Sequence, residues 1–234
     1  MEKIKEEVPE KLRIAVLLSF ISGYINAFTY NNAGELFAGA QTGNVIFMAL
    51  HFAKGNLEKA VEFLIPIISF MIGQIFIYCF RNFFQRRGHK GYIHSSLLML
   101  FIMIMLIVLL PFFDYHFIVV TLAFFAAIQS DTFQRLRGFS YATIMMTGNV
   151  KNAPRLLIEG LVQRDRELLV RGFLLFLIIF SFMLGVGMST YFTQFVKKSA
   201  LVPLILPLLY INYVLFKEEH SVIDVVKSKI RKIK

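Results

Sequence analysis

Two copies of one small polar triplet, Thr42-Gly43-Asn44 and Thr147-Gly148-Asn149, interrupt a chain that is otherwise very apolar. An Asn amide carries both donors and an acceptor. Thr is a good helix N-cap, accepting a backbone N–H two or three residues on, and Gly permits close backbone approach. Each triplet leads into a helix-like run, VIFMAL after the first and the more polar VKNAPRLL after the second. The expectation is a pair of half-helices capped by Thr42 and Thr147, with room made by Gly43 and Gly148. Asn44 and Asn149 would then read a small polar solute. The plainer alternative is that the triplets only cap helices and pack the two halves together.

Further polar residues stand upstream of each triplet. SGYINAFTY, which contains Asn26, aligns loosely with AAIQSDTFQ, which contains Gln129, Ser130 and Asp131. A carboxylate at the centre of a membrane helix costs ~2.5–3.5 kcal/mol on the insertion scale, so Asp131 is a candidate proton-coupling site. The alternative is an ordinary ion pair with Arg135 one turn later. Glu35 reads as a solvated loop residue and His51 as incidental. No zinc spacing, P-loop, nucleophile elbow or dinucleotide fingerprint is present. Neither a catalytic role nor a cofactor or metal is therefore expected.

These residues need elements to hold them, and composition says where those elements lie. Of the 234 residues 57% are hydrophobic and 17% charged, and mean hydropathy is +0.65. A soluble domain carries about 25% charged residues. Apolar runs of about twenty residues recur here, the length that crosses ~30 Å of hydrocarbon. The formal net charge of +10 sits in short clusters between those runs, as in membrane topology signals, and not in a nucleic-acid interface. The N-terminus has four acidic residues before its apolar run and no A-x-A-like site, which predicts an uncleaved first span. Cys79 stands alone, so no intramolecular disulfide forms.

Six segments are long and apolar enough to cross: about 12–31, 61–80, 93–113, 115–134, 170–192 and 199–216. Segments 37–53 and 140–158, which hold the triplets, are shorter or more polar. With the N-terminus inside and both triplet segments re-entrant, only Lys54, Lys59, Lys197 and Lys198 lie outside, and the other 21 of 25 Lys and Arg lie inside. Eight crossings would instead leave 8 outside, including those of RNFFQRRGHK. The positive-inside rule favours six crossings with two re-entrant segments.

The triplets are 105 residues apart, and SFMIG at Ser69–Gly73 returns as SFMLG at Ser181–Gly185, 112 residues later. Two motifs in the same order point to a duplicated unit, with an insertion near EGLVQRDRELLV. Gly73, Gly185, Gly187 and Ser189 read as helix-packing surfaces. An odd number of crossings per unit inverts the second copy, an architecture found in transporters and channels. Two half-helix N-termini meeting near mid-depth would each present about half a positive charge and favour neutral or anionic solutes. In the tail, Ile223, Val226, Ile230 and Ile233 fall on one helical face among lysines, as in a helix lying on an anionic leaflet.

GYINAF in the first span, TGN opening the next segment, and a second TGN preceded by AAIQS together resemble the YoaK-type family of uncharacterised bacterial multi-pass transmembrane proteins. The resemblance covers about 12–216 and implies a cell-membrane location, with no substrate or catalytic residue. In that family an Asp is common at the place of Asn26 and an Asn near Ser130. This chain departs there, which weakens any ion-coupled mechanism carried over.

The sequence thus predicts an all-α integral membrane protein forming one membrane domain over 1–234. It comprises two inverted repeats, about 11–113 and 115–216, each of three transmembrane helices plus one re-entrant half-helix, and a basic amphipathic tail at 217–234. Both termini are expected in the cytoplasm, with the lipid bilayer and a small neutral or anionic solute as partners. The function expected is a small-solute permease, and the alternative is a non-transporting scaffold or accessory protein.

Overall fold

The computed structural model describes residues 8–217. After a short 3-10 turn at Val8–Glu10 come α1 (Leu12–Asn32), α2 (Gln41–Ala53), α3 (Leu57–Arg86), α4 (Gly91–Leu109) and α5 (Tyr115–Thr132). A two-residue antiparallel hairpin, β1 (Arg135–Leu136) and β2 (Phe139–Ser140), leads to α6 (Met146–Gln163) and α7 (Arg166–Val196). A 3-10 segment, Lys197–Leu204, precedes the last helix, α8 (205–217). The predicted tail helix lies outside the described residues, apart from Lys217.

The chain is nearly all helix, and four stretches are long and apolar enough to cross a membrane: Leu12–Asn32, Leu57–Arg86, Gly91–Leu109 and Arg166–Lys217. The fourth is two helices. Lys197 takes a left-handed φ of 47°, and α8 returns to put Asn212 on the Ser96 carbonyl of α4 at 3.3 Å. The Tyr24 hydroxyl of α1 donates to the Ala200 carbonyl in the turn between them. α5 ends in the polar run Gln-Ser-Asp-Thr, yet most of its residues are buried.

Helix starts follow ordinary capping chemistry where the chain leaves the apolar interior. Asn56 accepts from the N–H of Lys59, Asp114 from that of Phe117, and Asp165 from those of Glu167 and Leu168. Arg164, at a left-handed φ of 53°, ends α6.

Two parallel helix pairs form the frame. In the first, Ser181 of α7 donates to the Val16 carbonyl of α1 at 2.7 Å, and Asn31 reaches Thr190 at 3.2 Å. In the second, Ser69 of α3 donates to the Val120 carbonyl of α5 at 2.6 Å, and Gln74 to that of Ala127 at 3.2 Å. The two Ser-Phe-Met-x-Gly motifs therefore act alike. Their serines hold equivalent carbonyls, Gly185 lies against Phe20 and Tyr24, and Gly73 against Phe124 and Ala127. Gly187, expected on the same surface, meets nothing within 4 Å of where a Cβ would stand. Ser189 is buried as expected.

α1 and α5 run in opposite directions. Gln129 donates to the Leu18 carbonyl at 3.0 Å and to Ser22 at 2.6 Å, and eight residues further on the Arg137 N–H meets the Glu10 carbonyl at 3.0 Å. One end of the bundle thus gathers Glu10, Arg81, Asp131 and Arg137. The far end gathers Lys59 on the Gly34 carbonyl and Lys198 on those of Leu110 and Phe113.

Candidate functional site

α1 ends at Asn32, and the chain reverses through Gly34 and Glu35, with φ of 71° and 65°. Glu35 is exposed, as the sequence predicts. Residues 36–40 then run back along α1 into the interior, and Ala38 and Gly39 are buried. Non-helical backbone in an apolar interior must find partners for each N–H and C=O, and here polar side chains supply them. The Phe37 N–H donates to Asn44 Oδ1 at 3.0 Å, and the Ala38 N–H to Thr29 Oγ1 at 3.0 Å. Asn26 Oδ1 accepts from both Gly39 (2.9 Å) and Ala40 (3.0 Å). Asn44 Nδ2 returns to the Phe37 carbonyl at 2.8 Å and to Gln41 Oε1 at 2.9 Å, while Gln41 Nε2 donates to the Ala38 carbonyl at 2.9 Å.

The second triplet repeats this geometry. Asn149 Oδ1 accepts the Ala142 N–H at 3.2 Å, and its Nδ2 donates to the Ala142 carbonyl at 2.7 Å and to the Met146 sulfur at 3.5 Å. In both copies an Asn clasps the residue seven positions before it, from the inner turn of its helix. Asn44 and Asn149 are buried, and their amides are engaged by their own loops. They hold the loops, and they do not present a free amide to a solute.

The threonines do not cap. The capping positions are Ala40 and Met145, neither with a side-chain bond, and Thr42 and Thr147 sit one turn-step inside, exposed. The reason is that the loop carbonyls and the Asn side chain already organise the helix start: the Gln41 N–H meets the Gly39 carbonyl, and those of Gly43 and Asn44 meet Ala40. Gly43 does permit close approach, since a Cβ there would stand 2.9 Å from the Phe37 ring. Gly148 is exposed and would meet nothing.

Asp131 does not pair with Arg135. Arg81 of α3 takes it, with Nη1 donating to Oδ2 and to its main-chain carbonyl, each at 2.7 Å. The helix ends at Thr132, so Arg135 falls in the hairpin and is no longer one helical turn away. Gln129 ties α5 to α1, and Ser130 beside it is half-buried. His51 stacks on Phe63.

The two loops meet. A Cβ on Gly39 would stand 2.5 Å from Ile144 Cγ2, 3.4 Å from the Ala126 Cβ and 3.4 Å from Asn26 Nδ2. A cavity of about 410 Å³, walled by Asn26, Asn31, Phe37, Phe182 and Thr190, lies between α1, the first loop and α7. Another of about 390 Å³, walled by Glu10, Arg81, Asp131, Thr132 and Arg135, lies at the opposite end. Thr29, Gln41, Gly39, Ile144 and Arg81 all matter to this arrangement, and sequence reasoning passed over them as site residues. Gln41 carried the one readable signal, standing three residues before Asn44 at a helix start. Arg81 looked like one more member of a basic cluster.

The fold and these buried loops define an apolar, membrane-like helical protein with paired loop-helix junctions at its centre. Residues 14–214 match the family described as "Protein of unknown function (DUF1275)", and the chain belongs to that family. No curated protein and no solved structure matches it.

Proposed function

We propose that this protein is a small-solute permease, a channel or secondary transporter of the cell membrane. In this reading it is built of two inverted repeats, α1–α4 and α5–α8, each of three crossings and one re-entrant half-helix. What carries the reading is the contact of the two buried loops at Gly39 and Ile144, with one cavity beside Asn26 and another at the opposite end of the bundle. The path would run past Asn26 at one mouth and Asp131 at the other, with the loop contact as its constriction. Several observations support it. α2, with 13 residues, is ~20 Å long, too short for a crossing. The opposed directions of α1 and α5 fit six crossings and not eight, in which the two would run the same way. The N-termini of α2 and α6 both face the junction and bring partial positive charge there, which favours neutral or anionic solutes over cations.

The second reading is a scaffold or accessory membrane protein, and one observation favours it: both triplet amides are engaged internally. Solute-driven volume change of proteoliposomes, followed by light scattering across a panel of small neutral and anionic solutes, separates the two. The permease reading expects at least one solute to enter faster than into empty vesicles, and Ile144→Ala, which trims the constriction, to raise that rate several-fold. No acceleration for any solute, with wild type and Ile144→Ala alike, would leave the scaffold reading in its place.

A further inference from the structure

Between Glu62 and Asp114 the chain has no acidic residue, and the Lys and Arg of that span, Arg81, Arg86, Arg87 and Lys90, gather where α3 turns into α4. Asp131 takes Arg81. Among the described residues no carboxylate or carbonyl meets the guanidinium of Arg86 or of Arg87, and both residues are exposed. The turn that carries them is well tied. The N–H groups of Arg87 and His89 meet the Phe84 carbonyl at 3.1 and 3.0 Å, that of Gly88 meets Gln85 at 3.0 Å, and His94 of α4 stacks on Phe84 with centroids 3.9 Å apart. Arg87 stands over the Phe83 ring, 3.9 Å from its centroid, and a guanidinium against a ring face keeps its edge N–H groups for a second partner. Below Phe83, Cys79, Phe76 and Ile72 follow on one face of α3 at spacings of four, three and four, all exposed.

We propose that the α3–α4 turn binds an anionic phospholipid, with its phosphate on Arg87 and Arg86 and one acyl chain along Phe83, Phe76 and Ile72. A helix long and apolar enough to cross a membrane brings cations at its end to the headgroup level and the apolar face beneath them to the hydrocarbon. The fork of Arg87 can meet two phosphate oxygens at once, and Arg86 adds charge beside it. A zwitterionic headgroup carries its own cation, which cancels part of that attraction, so a lipid of net negative charge is selected. The inference does not rest on the permease reading, and the scaffold reading accommodates it equally.

The test is native mass spectrometry of the full chain released from mixed micelles that hold equal amounts of phosphatidylglycerol and phosphatidylcholine. The expected result is retention of phosphatidylglycerol in preference to phosphatidylcholine. Arg87→Gln and Arg86→Gln should each lower that preference about fivefold, the effect of one cation near a membrane surface, and the double variant should abolish it. Arg155→Gln removes an exposed cation of α6 and should leave the preference intact. The proposal is overturned if the two lipids are retained equally, or if Arg155→Gln costs as much as Arg87→Gln, which would mean diffuse attraction without a site. It is also overturned if excess glycerol 1-phosphate displaces the lipid, which would mark a site for small anions. Should Arg87→Gln fail to fold, Arg86→Gln alone decides. No solute flux enters the measurement, so its failure leaves the permease reading standing.

Discussion

Asn44 solves a backbone problem more than a recognition problem. Its side chain satisfies both the N–H and the C=O of Phe37 in a half-buried loop, and Asn149 does the same for Ala142. Truncating either leaves a donor and an acceptor unpaired, each costing about 1–3 kcal/mol. Asn44→Ala and Asn149→Ala should therefore each lose about 2–5 kcal/mol in denaturant unfolding in detergent. Thr42→Ala, at an exposed position with no capping bond, should change stability by less than about 0.5 kcal/mol; a large loss there would restore the threonine as a cap. At the surface, the Phe117 N–H holds the Asp114 carboxyl below the usual carboxylate range, helped by His116. A depressed folded value means that its stabilisation is complete above the unfolded value and lost as pH falls through the folded one. The advantage of wild type over Asp114→Asn in unfolding temperature should therefore hold near neutrality and shrink below about pH 4. A gap that stays constant down to about pH 2.5 would contradict this.

Among the elements, the α1–α7 contact is the closest approach. Gly23 admits the Phe182 carbonyl, and Gly185 admits that of Phe20. A methyl at either position would overlap backbone, which cannot yield as the end of a side chain can. Overpacking of this kind costs about 1–3 kcal/mol and occasionally more. Gly185→Ala and Gly23→Ala are expected to unfold the pair or lower the unfolding temperature steeply. Gly187→Ala, two residues along the same helix and facing open space, should be neutral or slightly stabilising through helix propensity. Equal effects at 185 and 187 would mean that the pair does not pack as described.

For the whole molecule, the strongest determinant is the distribution of charge about the bundle. Lys59 and Lys198 sit at the far end, while Arg81 and Arg137 sit with Glu10 at the other. In the proposed six-crossing arrangement, Lys54 and Arg86 lie on opposite sides of the membrane. In a Cys79→Ser background, impermeant thiol reagents applied to intact cells should label Lys54→Cys and Lys197→Cys, and should reach Arg86→Cys only after lysis. Labelling of Lys54→Cys and Arg86→Cys from one side would sink the six-crossing topology, because α3 alone joins them.

The sequence by itself determined the helical, membrane-like class, the approximate bounds of its apolar segments and the recurrence of two motifs. Hydrophobic run length, cationic asymmetry and self-similarity are properties of the chain written in one dimension. It could also show that Asn44 and Asn149 hold corresponding places. What each amide touches was decided only by tertiary structure, since the loop that Asn44 clasps has to be folded back along α1 before Phe37 comes within reach. The same holds for Asp131, whose neighbour in sequence, Arg135, lost to Arg81, 50 residues away. The helix ended between the first pair, and the parallel packing of α3 on α5 brought the second pair together. A hydrogen bond is settled by the position of two atoms in space, and a pattern of residue types fixes that position only within a single unbroken helix.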